Sequence, residues 1–370
     1  MFAYWVGVDW VLKGTLEKTG RYGSINLEVV LTNFNLTYTE KVLIIVDLSP
    51  MRMTAPLRFF MMLILSSSLH GAWGASSDPV KVGIQLWPGY YPLLIAQHKG
   101  FFKELGLDVE YVLSEDYQQL SGMFNSKKID LFCTPLGDGF ALYDHDPSSK
   151  VVMVINESVG GDALLIKHPL AKVKRPIKIG TNLDRFGELF VRQYMKVHDL
   201  HDGDVEFIQQ QGSQALDFLR SQKADIVHTW EPYVSELKLY YGTTSIFDSS
   251  QTPGLIIDAL FANGSFLQAR PKDMKKFISG WLKGAAWWLA NRKEGDEYLE
   301  GKLLLLPGTL SLKGIKLFTL KDNINAFQDQ EGSRSIYNSA NIYREFFAYK
   351  QAFGQIPHSA SDIVTGEYLP

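Results

Sequence analysis

The feature that most constrains the fold is the stretch at residues 81–112, KVGIQLWPGYYPLLIAQHKGFFKELGLDVEYV. Alternating apolar residues at its start are followed by a Pro-Gly break, an apolar segment at residues 93–96 and a second alternating run. This order predicts a strand, a helix and a second strand. The turn after the first strand carries Trp87 and Tyr90 at the strand's carboxyl end, where open α/β sheets bind ligands. These rings either form one wall of a binding pocket or only cover the end of the sheet.

Composition limits the class of protein. The chain of 370 residues is 46% hydrophobic and 21% charged, which provides apolar material for two ordinary cores and does not indicate disorder. A formal charge of -3 provides no basic field for nucleic acid or an acidic membrane, so small-molecule binding is the favoured class. The single cysteine, Cys133, excludes an internal disulfide, and its apolar surroundings predict packing rather than a catalytic thiol.

Residues 51–76 have the layout of a secretory signal peptide. Two arginines precede an apolar run that is too short to span a bilayer, and serines and small residues follow it. Since a signal peptide functions at the start of a chain, we expect residues 1–50 to be a non-native upstream extension and translation to begin at Met51 or Met53. The alternative for residues 1–50 is a small β-rich module. No cysteine lies near the cleavage region, so we expect a soluble periplasmic product without a lipid anchor.

Two segments in the two halves of the chain repeat one plan. Residues 126–135 and 221–230 each follow an apolar helical segment and carry a Ser, a Lys, an Asp and a terminal Thr in register. This similarity predicts an α/β protein with two similar lobes and a ligand cleft between them. We place the first lobe, which is discontinuous, at residues 79–164 and 255–370, and the second lobe at residues 165–254.

Loops at other predicted strand ends add candidate contacts. The glycine pair at residues 160–161 either brings backbone amides close to a ligand or serves a plain turn, and its spacing does not match a nucleotide-binding fingerprint. Glu231 beside Trp230 is either a cleft contact or the cap of the helix that starts near Pro232. The sequence has no His-Glu-x-x-His motif, no cysteine pair and no Gly-x-Ser-x-Gly motif, so it does not indicate metal binding, a cofactor or catalysis.

Three segments carry a resemblance to a known family: GIQLWPGY at residues 83–90, AQHKGFF at residues 96–102 and DIVHTWEP at residues 225–232. They resemble the nitrate, sulfonate and taurine solute-binding proteins of ABC importers, a superfamily that also contains binders of thiamine pyrimidine precursors. The resemblance covers about residues 79–370 and is specific for the superfamily but not for a ligand. It implies a two-lobed periplasmic-binding-protein fold of type II, a hinge crossed twice, a ligand between the lobes and delivery to a membrane permease.

The resemblance also implies which residues face the ligand. They lie at strand and helix ends in both lobes and are Trp87, Tyr90, Thr134, Asp138, Gly161, Asp162, Phe186, Gly187, Trp230 and Glu231. In the sulfonate and nitrate binders the anion is met by backbone amides and hydroxyls near helix starts. Here Asp184 and Glu188 beside that position argue against an anion. The acids and aromatic rings of the set favour a nitrogen-bearing organic ligand, such as a pyrimidine or an amine.

Two other functions stay open. A sulfonate- or nitrate-type anion binder would use the same fold, and a ligand-sensing protein would use the same binding chemistry to inform a signalling partner. The superfamily's enzyme branch uses a cysteine-rich motif that this one-cysteine chain lacks, so we predict a binding protein and not an enzyme. We expect a monomer whose partners are a small-molecule ligand and an ABC permease in the inner membrane, with no nucleic acid.

Overall fold

The computed structural model describes residues 3–7, 10–19, 24–33, 78–305, 310–329, 331–332 and 334–370. The chain divides into two compact units, Met1–Ser76 and Ser77–Pro370. The backbone of the first unit forms an antiparallel sheet of strands β1 (Ala3–Gly7), β2 (Trp10–Thr19) and β3 (Ser24–Asn33). The signal segment predicted at residues 51–76 lies outside the described residues, and the position of the start codon stays a prediction.

The second unit contains two mixed β-sheets with helices packed on them, which confirms the predicted α/β class. Its strands are β4 (Val80–Ile84), β5 (Val109–Leu113), β6 (Leu131–Pro135), β7 (Lys150–Ser158), β8 (Asp162–Ile166), β9 (Ile177–Thr181), β10 (Val205–Gln209), β11 (Ile226–Trp230), β12 (Thr244–Asp248), β13 (Ile257–Ala262) and β14 (Ile315–Leu317). The sheet of the first lobe has the order β14-β7-β13-β6-β4-β5, and that of the second has the order β10-β9-β11-β8-β12. Strand β4 runs parallel to β5 and β6, and β9 runs parallel to β10 and β11.

The α-helices pack on these sheets. They are α1 (Pro92–His98), α2 (Phe101–Glu104), α3 (Tyr117–Asn125), α4 (Gly139–His145), α5 (Phe186–Val197), α6 (Ala215–Arg220), α7 (Tyr233–Tyr241), α8 (Gly264–Ala269), α9 (Pro271–Ala290), α10 (Arg292–Leu303), α11 (Leu320–Gln328) and α12 (Ile336–Lys350). The apolar side chains along one face of α9, among them Trp281 and Trp288, are buried in the core of the first lobe. The tryptophans of this helix therefore serve packing.

The sequence repeat corresponds to a repeated structure. Asp130, before β6, accepts a hydrogen bond from the backbone N–H of Lys81 (2.9 Å), and Asp225, before β11, accepts one from Lys178 (2.9 Å). In each copy the carboxylate joins the start of one strand to the start of the parallel strand beside it. The joined strands are β6 and β4 in the first lobe, and β11 and β9 in the second. Each lobe thus contains one copy of the same helix-to-strand unit. An aspartate at the equivalent position of each copy, Asp130 or Asp225, bonds it to the neighbouring strand.

Two crossings join the lobes, one between β7 and β8 and the other between β12 and β13. The boundary expected at residue 164 falls inside β8, all of which pairs in the second sheet, so the first crossing lies at residues 159–161. The hydroxyls of Ser158 and Ser249 are hydrogen-bonded to each other (2.7 Å), and Ser249 also accepts a hydrogen bond from the N–H of Gly160 (2.7 Å). Since both serines are fully buried, the two crossings are held side by side inside the protein.

Candidate functional site

A narrow cavity lies between the two sheets, at the carboxyl ends of β4, β6, β9 and β11. Ligands of open α/β sheets bind at this edge. The cavity volume that is open to the centre of a water molecule is about 30 Å³. A space of that size holds water, so an organic ligand enters only if the lobes part or lining side chains move. The lining side chains come from both lobes and are Gln85, Trp87, Tyr90, Tyr117, Pro135, Asp138, Asp162, Asn182, Arg185, Phe186, Gln211, Trp230, Ile256 and Asp258.

Trp87 and Tyr90 form the first-lobe wall of the cavity. The indole Nε1 of Trp87 donates to Oδ1 of Asn156 (3.1 Å), and the hydroxyl of Tyr90 donates to Oδ1 of Asp258 (2.8 Å). Gly89, between the two rings, lies so close to Asn156 that an added Cβ would come within 2.1 Å of its Nδ2. The turn therefore needs glycine, and the two rings are held by hydrogen bonds within their own lobe.

Three aspartates face the cavity: Asp138 and Asp258 from the first lobe and Asp162 from the second. Burial raises the pKa of Asp138 to about 6. Burial, together with the neighbouring charges of Asp162 and Asp138, raises the pKa of Asp258 to about 8. Like charges gathered away from water oppose ionisation, and a cation among them would favour it. The cavity is therefore suited to a positively charged or hydrogen-bond-donating group.

Asp138 contacts the second lobe directly. Its carboxylate accepts a hydrogen bond from the backbone N–H of Phe186 (3.4 Å) and lies 3.6 Å from Nη1 of Arg185. The guanidinium carbon of Arg185 is 3.5 Å from the centroid of the Tyr117 ring, and the hydroxyl of Tyr117 donates to the carbonyl of Asp138 (2.7 Å). The lobes thus meet across the cavity through a carboxylate, a guanidinium and an aromatic ring.

The second-lobe wall is built around His228. The rings of Phe186 and Trp230 contact this imidazole edge to face, with centroids 5.5 Å and 6.0 Å from it. Nε2 of His228 lies 3.3 Å from Oδ1 of Asp162, and Nδ1 lies 3.1 Å from Oγ1 of Thr181. The imidazole thereby holds Asp162 at the cavity while its own ring is covered by the two aromatic side chains.

Ten residues are predicted from the sequence, and the cavity brings six of them together: Trp87, Tyr90, Asp138, Asp162, Phe186 and Trp230. The other four do not line it. Glu231 accepts hydrogen bonds from the N–H and the hydroxyl of Ser235 (3.0 Å each), so it caps the start of α7, as the alternative interpretation has it. Thr134 is fully buried within β6. Gly161 and Gly187 lie in such close contact with neighbouring side chains that a Cβ would not fit.

The cavity is also lined by eight residues that are not predicted from the sequence: Gln85, Tyr117, Pro135, Asn182, Arg185, Gln211, Ile256 and Asp258. Gln85 directly follows β4 and Asn182 directly follows β9, so the strand-end rule applied to every strand would have found them. Tyr117 begins a helix and Asp258 lies near the start of a strand, and no local pattern marks either.

Further contacts join the lobes beside the cavity. Glu115 of the first lobe accepts a hydrogen bond from the hydroxyl of Tyr233 in the second lobe. Lys350, at the end of α12, pairs with Asp184 (3.3 Å) and Glu188 (2.9 Å) of the second lobe. The two acids that argue against an anion in the sequence are therefore paired with Lys350 and do not line the cavity.

Across the described part of the chain, no group of three or more His, Cys, Asp or Glu side chains is arranged to hold a metal ion. Within the same residues, no helix is both long and apolar enough to cross a membrane.

Structural comparison shows that the fold is that of solute-binding proteins. The alkanesulfonate-binding protein SsuA from Xanthomonas axonopodis pv. citri matches with a TM-score of 0.65 and 11% identity, over 79% of this chain and 100% of that one. SsuA from Escherichia coli matches with a TM-score of 0.62 and 13% identity, over 80% and 100%. The nitrate-binding protein NrtA from Synechocystis PCC 6803 matches with a TM-score of 0.59 and 16% identity, over 79% and 87%. The predicted type II periplasmic-binding-protein fold is confirmed.

Sequence comparison identifies the family. Among curated protein sequences, none matches the chain. A family model described as NMT1/THI5 like matches residues 87–295, more than half of the chain, and this span includes Trp87, Tyr90 and Trp230 of the cavity. The resemblance stated from the sequence motifs is confirmed, and the chain belongs to the NMT1/THI5-like family.

Proposed function

We propose that the protein is the solute-binding component of an ABC importer, secreted to the periplasm, and that it captures a small nitrogen-bearing organic ligand between its lobes. The ligand is amine- or pyrimidine-like, and a permease in the inner membrane receives it. Support for a binding role comes from the family and from a fold shared with binding proteins of import systems. We propose no catalytic activity.

The observation that carries the ligand class is the group of three cavity aspartates between aromatic walls. Asp138, Asp162 and Asp258 supply acceptors for N–H groups, while Trp87 and Trp230 supply faces for a planar ring. Burial, with smaller contributions from the charges of Asp162 and Asp138, raises the pKa of Asp258 to about 8, and a ligand cation beside this carboxyl group would favour its ionised form.

The test is calorimetry of residues 77–370 with two cationic or basic planar probes, benzamidine and 4-aminopyrimidine, and two anions, ethanesulfonate and nitrate. We expect the nitrogen bases to bind and Asp162→Asn to weaken that binding roughly 10- to 100-fold, because a charge-assisted hydrogen bond is lost. Asp217→Asn on the exposed face of α6 is the matched control and should leave binding unchanged. If only the anions bind, the proposed ligand class is wrong.

A second candidate is the sulfonate- or nitrate-type anion binder. The observation that favours it is Arg185, whose guanidinium faces the cavity and could pair with an anionic group. The same calorimetry distinguishes the candidates. If Arg185 holds an anion, Arg185→Gln would abolish anion binding and Asp162→Asn would strengthen it.

A further inference from the structure

Arg185 reaches from the second lobe into the first. It is the residue before α5, and its side chain is 13% exposed. The guanidinium lies 3.5 Å from the centroid of the Tyr117 ring and 3.6 Å from Oδ2 of Asp138, and both of these partners belong to the first lobe. The group therefore bridges the cavity that a ligand would have to enter.

Arg185 is not held there by its own neighbours in the sequence. The carboxylate of Asp184 pairs with Lys350, and that of Glu188 pairs with both Lys350 and Arg192 (2.9 Å each). These two acids are thus already supplied with cations. The ion pair and ring contact described for Arg185 lie across the cavity, on the first lobe.

The contacts of Arg185 are those that a planar organic cation would make. A flat positive group stacks on an aromatic face and turns an N–H edge toward a carboxylate. Among the described residues that line the cavity, Arg185 is the one Lys or Arg side chain, and three aspartates share that lining with it. The guanidinium is carried on a stem with several rotatable bonds, which gives it rotamers other than the one that enters the cavity.

We propose that the guanidinium of Arg185 is an internal competitor for the ligand, occupying the position between Tyr117 and Asp138 that the cationic group of the ligand takes when it binds. This inference rests on the proposed function. A molecule must then displace Arg185 to be held, so neutral compounds and cations that cannot stack on Tyr117 are rejected. The residue lowers affinity and raises selectivity.

The test compares wild type with Arg185→Gln by calorimetry, using benzamidine and its neutral analogue benzamide as probes. We expect benzamidine to bind Arg185→Gln about tenfold more tightly, the difference that one lost cation–π and ion-pair contact supports. Benzamide affinity should change much less. Adding Asp138→Asn to Arg185→Gln should remove the gain, because the carboxylate then has no charge to offer.

Arg220→Gln is the matched control, since the guanidinium of Arg220 also lies over a tyrosine ring, Tyr241 at 4.8 Å, but on the exposed surface of the second lobe. It should leave benzamidine binding unchanged. Arg185→Lys guards against misfolding of the glutamine variant: lysine keeps the charge but not the flat stacking face, so we expect a gain smaller than that of Arg185→Gln.

Two results overturn the inference. Weaker or unchanged benzamidine binding in a folded Arg185→Gln variant, while Asp162→Asn still weakens it, rejects Arg185 as a competitor and leaves the proposed ligand class standing. Ethanesulfonate or nitrate binding that disappears in Arg185→Gln assigns Arg185 to an anion and rejects both proposals.

Discussion

The two copies of the helix-to-strand unit, α3–β6 in the first lobe and α6–β11 in the second, are alike at one end and different at the other. At the entry to each strand the same aspartate bonds to the backbone of the neighbouring parallel strand. At the exit the first copy continues through Pro135 to a buried aspartate that faces the cavity, whereas the second ends in a tryptophan and a glutamate that caps a helix. The end that the copies share stabilises the sheet of each lobe, and the end that differs contributes side chains to the cavity.

The largest effect expected from this comparison concerns the two tryptophans of the cavity. Trp87 is 4% exposed and bonded to Asn156, while Trp230 is only partly buried. Trp87→Ala should therefore lower the free energy of unfolding by about 3–5 kcal/mol, and Trp230→Ala by clearly less. Urea denaturation of residues 77–370 measures both. Equal losses would contradict the view that burial and the hydrogen bond to Asn156 make Trp87 the more stabilising of the two rings.

The second prediction concerns pH and Asp258, which pairs with Pro135 at the exit of the first copy. The pKa of Asp258 is raised from 3.8 to about 8, mainly by burial. Between these values the folded protein keeps a proton that the unfolded chain has released, so stability falls as pH rises. The slope from this group is at most about 1.4 kcal/mol per pH unit.

Asp258→Asn cannot titrate, and its side-chain oxygen can still accept the hydrogen bond of Tyr90. We therefore expect the variant to lose less stability than wild type when the pH is raised from 5 to 8, measured by urea denaturation at each pH. Parallel pH profiles of the two proteins would show that Asp258 titrates normally.

The smallest effect concerns the end that the copies share. Asp130→Ala and Asp225→Ala each remove one hydrogen bond to a backbone N–H, and each should lower the unfolding free energy by about 0.5–1.5 kcal/mol. Thermal unfolding of the two variants in parallel is the measurement. A loss several times larger in one variant would mean that the two copies do not share one scaffold.

Much of the fold follows from local sequence pattern. The stretch with Trp87 and Tyr90 forms the predicted strand, turn and helix, because alternation, the Pro-Gly break and the apolar run all indicate the same elements. The repeat correctly indicates two lobes. The first crossing comes slightly earlier than the predicted boundary at residue 164, because residues 162–166 form strand β8 and pair in the second sheet.

The site is less predictable, since it depends on which side chains meet across the cavity. Asp258 comes from a strand that returns to the first lobe late in the chain, and only the sheet order places it opposite Pro135. Arg185 has two acids near it in the sequence, Asp184 and Glu188, and the sequence does not show that both pair with Lys350. Glu231 stands beside a cavity residue, yet the nearest partner of its carboxylate is the first turn of α7.

The serine pair joins the two crossings at one point. If the lobes open by rotation at the crossings, the hydrogen bond between Ser158 and Ser249 lies at the pivot of that rotation. Rotation of this kind widens the cleft most at the edge farthest from the axis and hardly shifts which residues stand opposite one another. In such a motion the thickness of a bound molecule would set the angle at which the lobes come to rest.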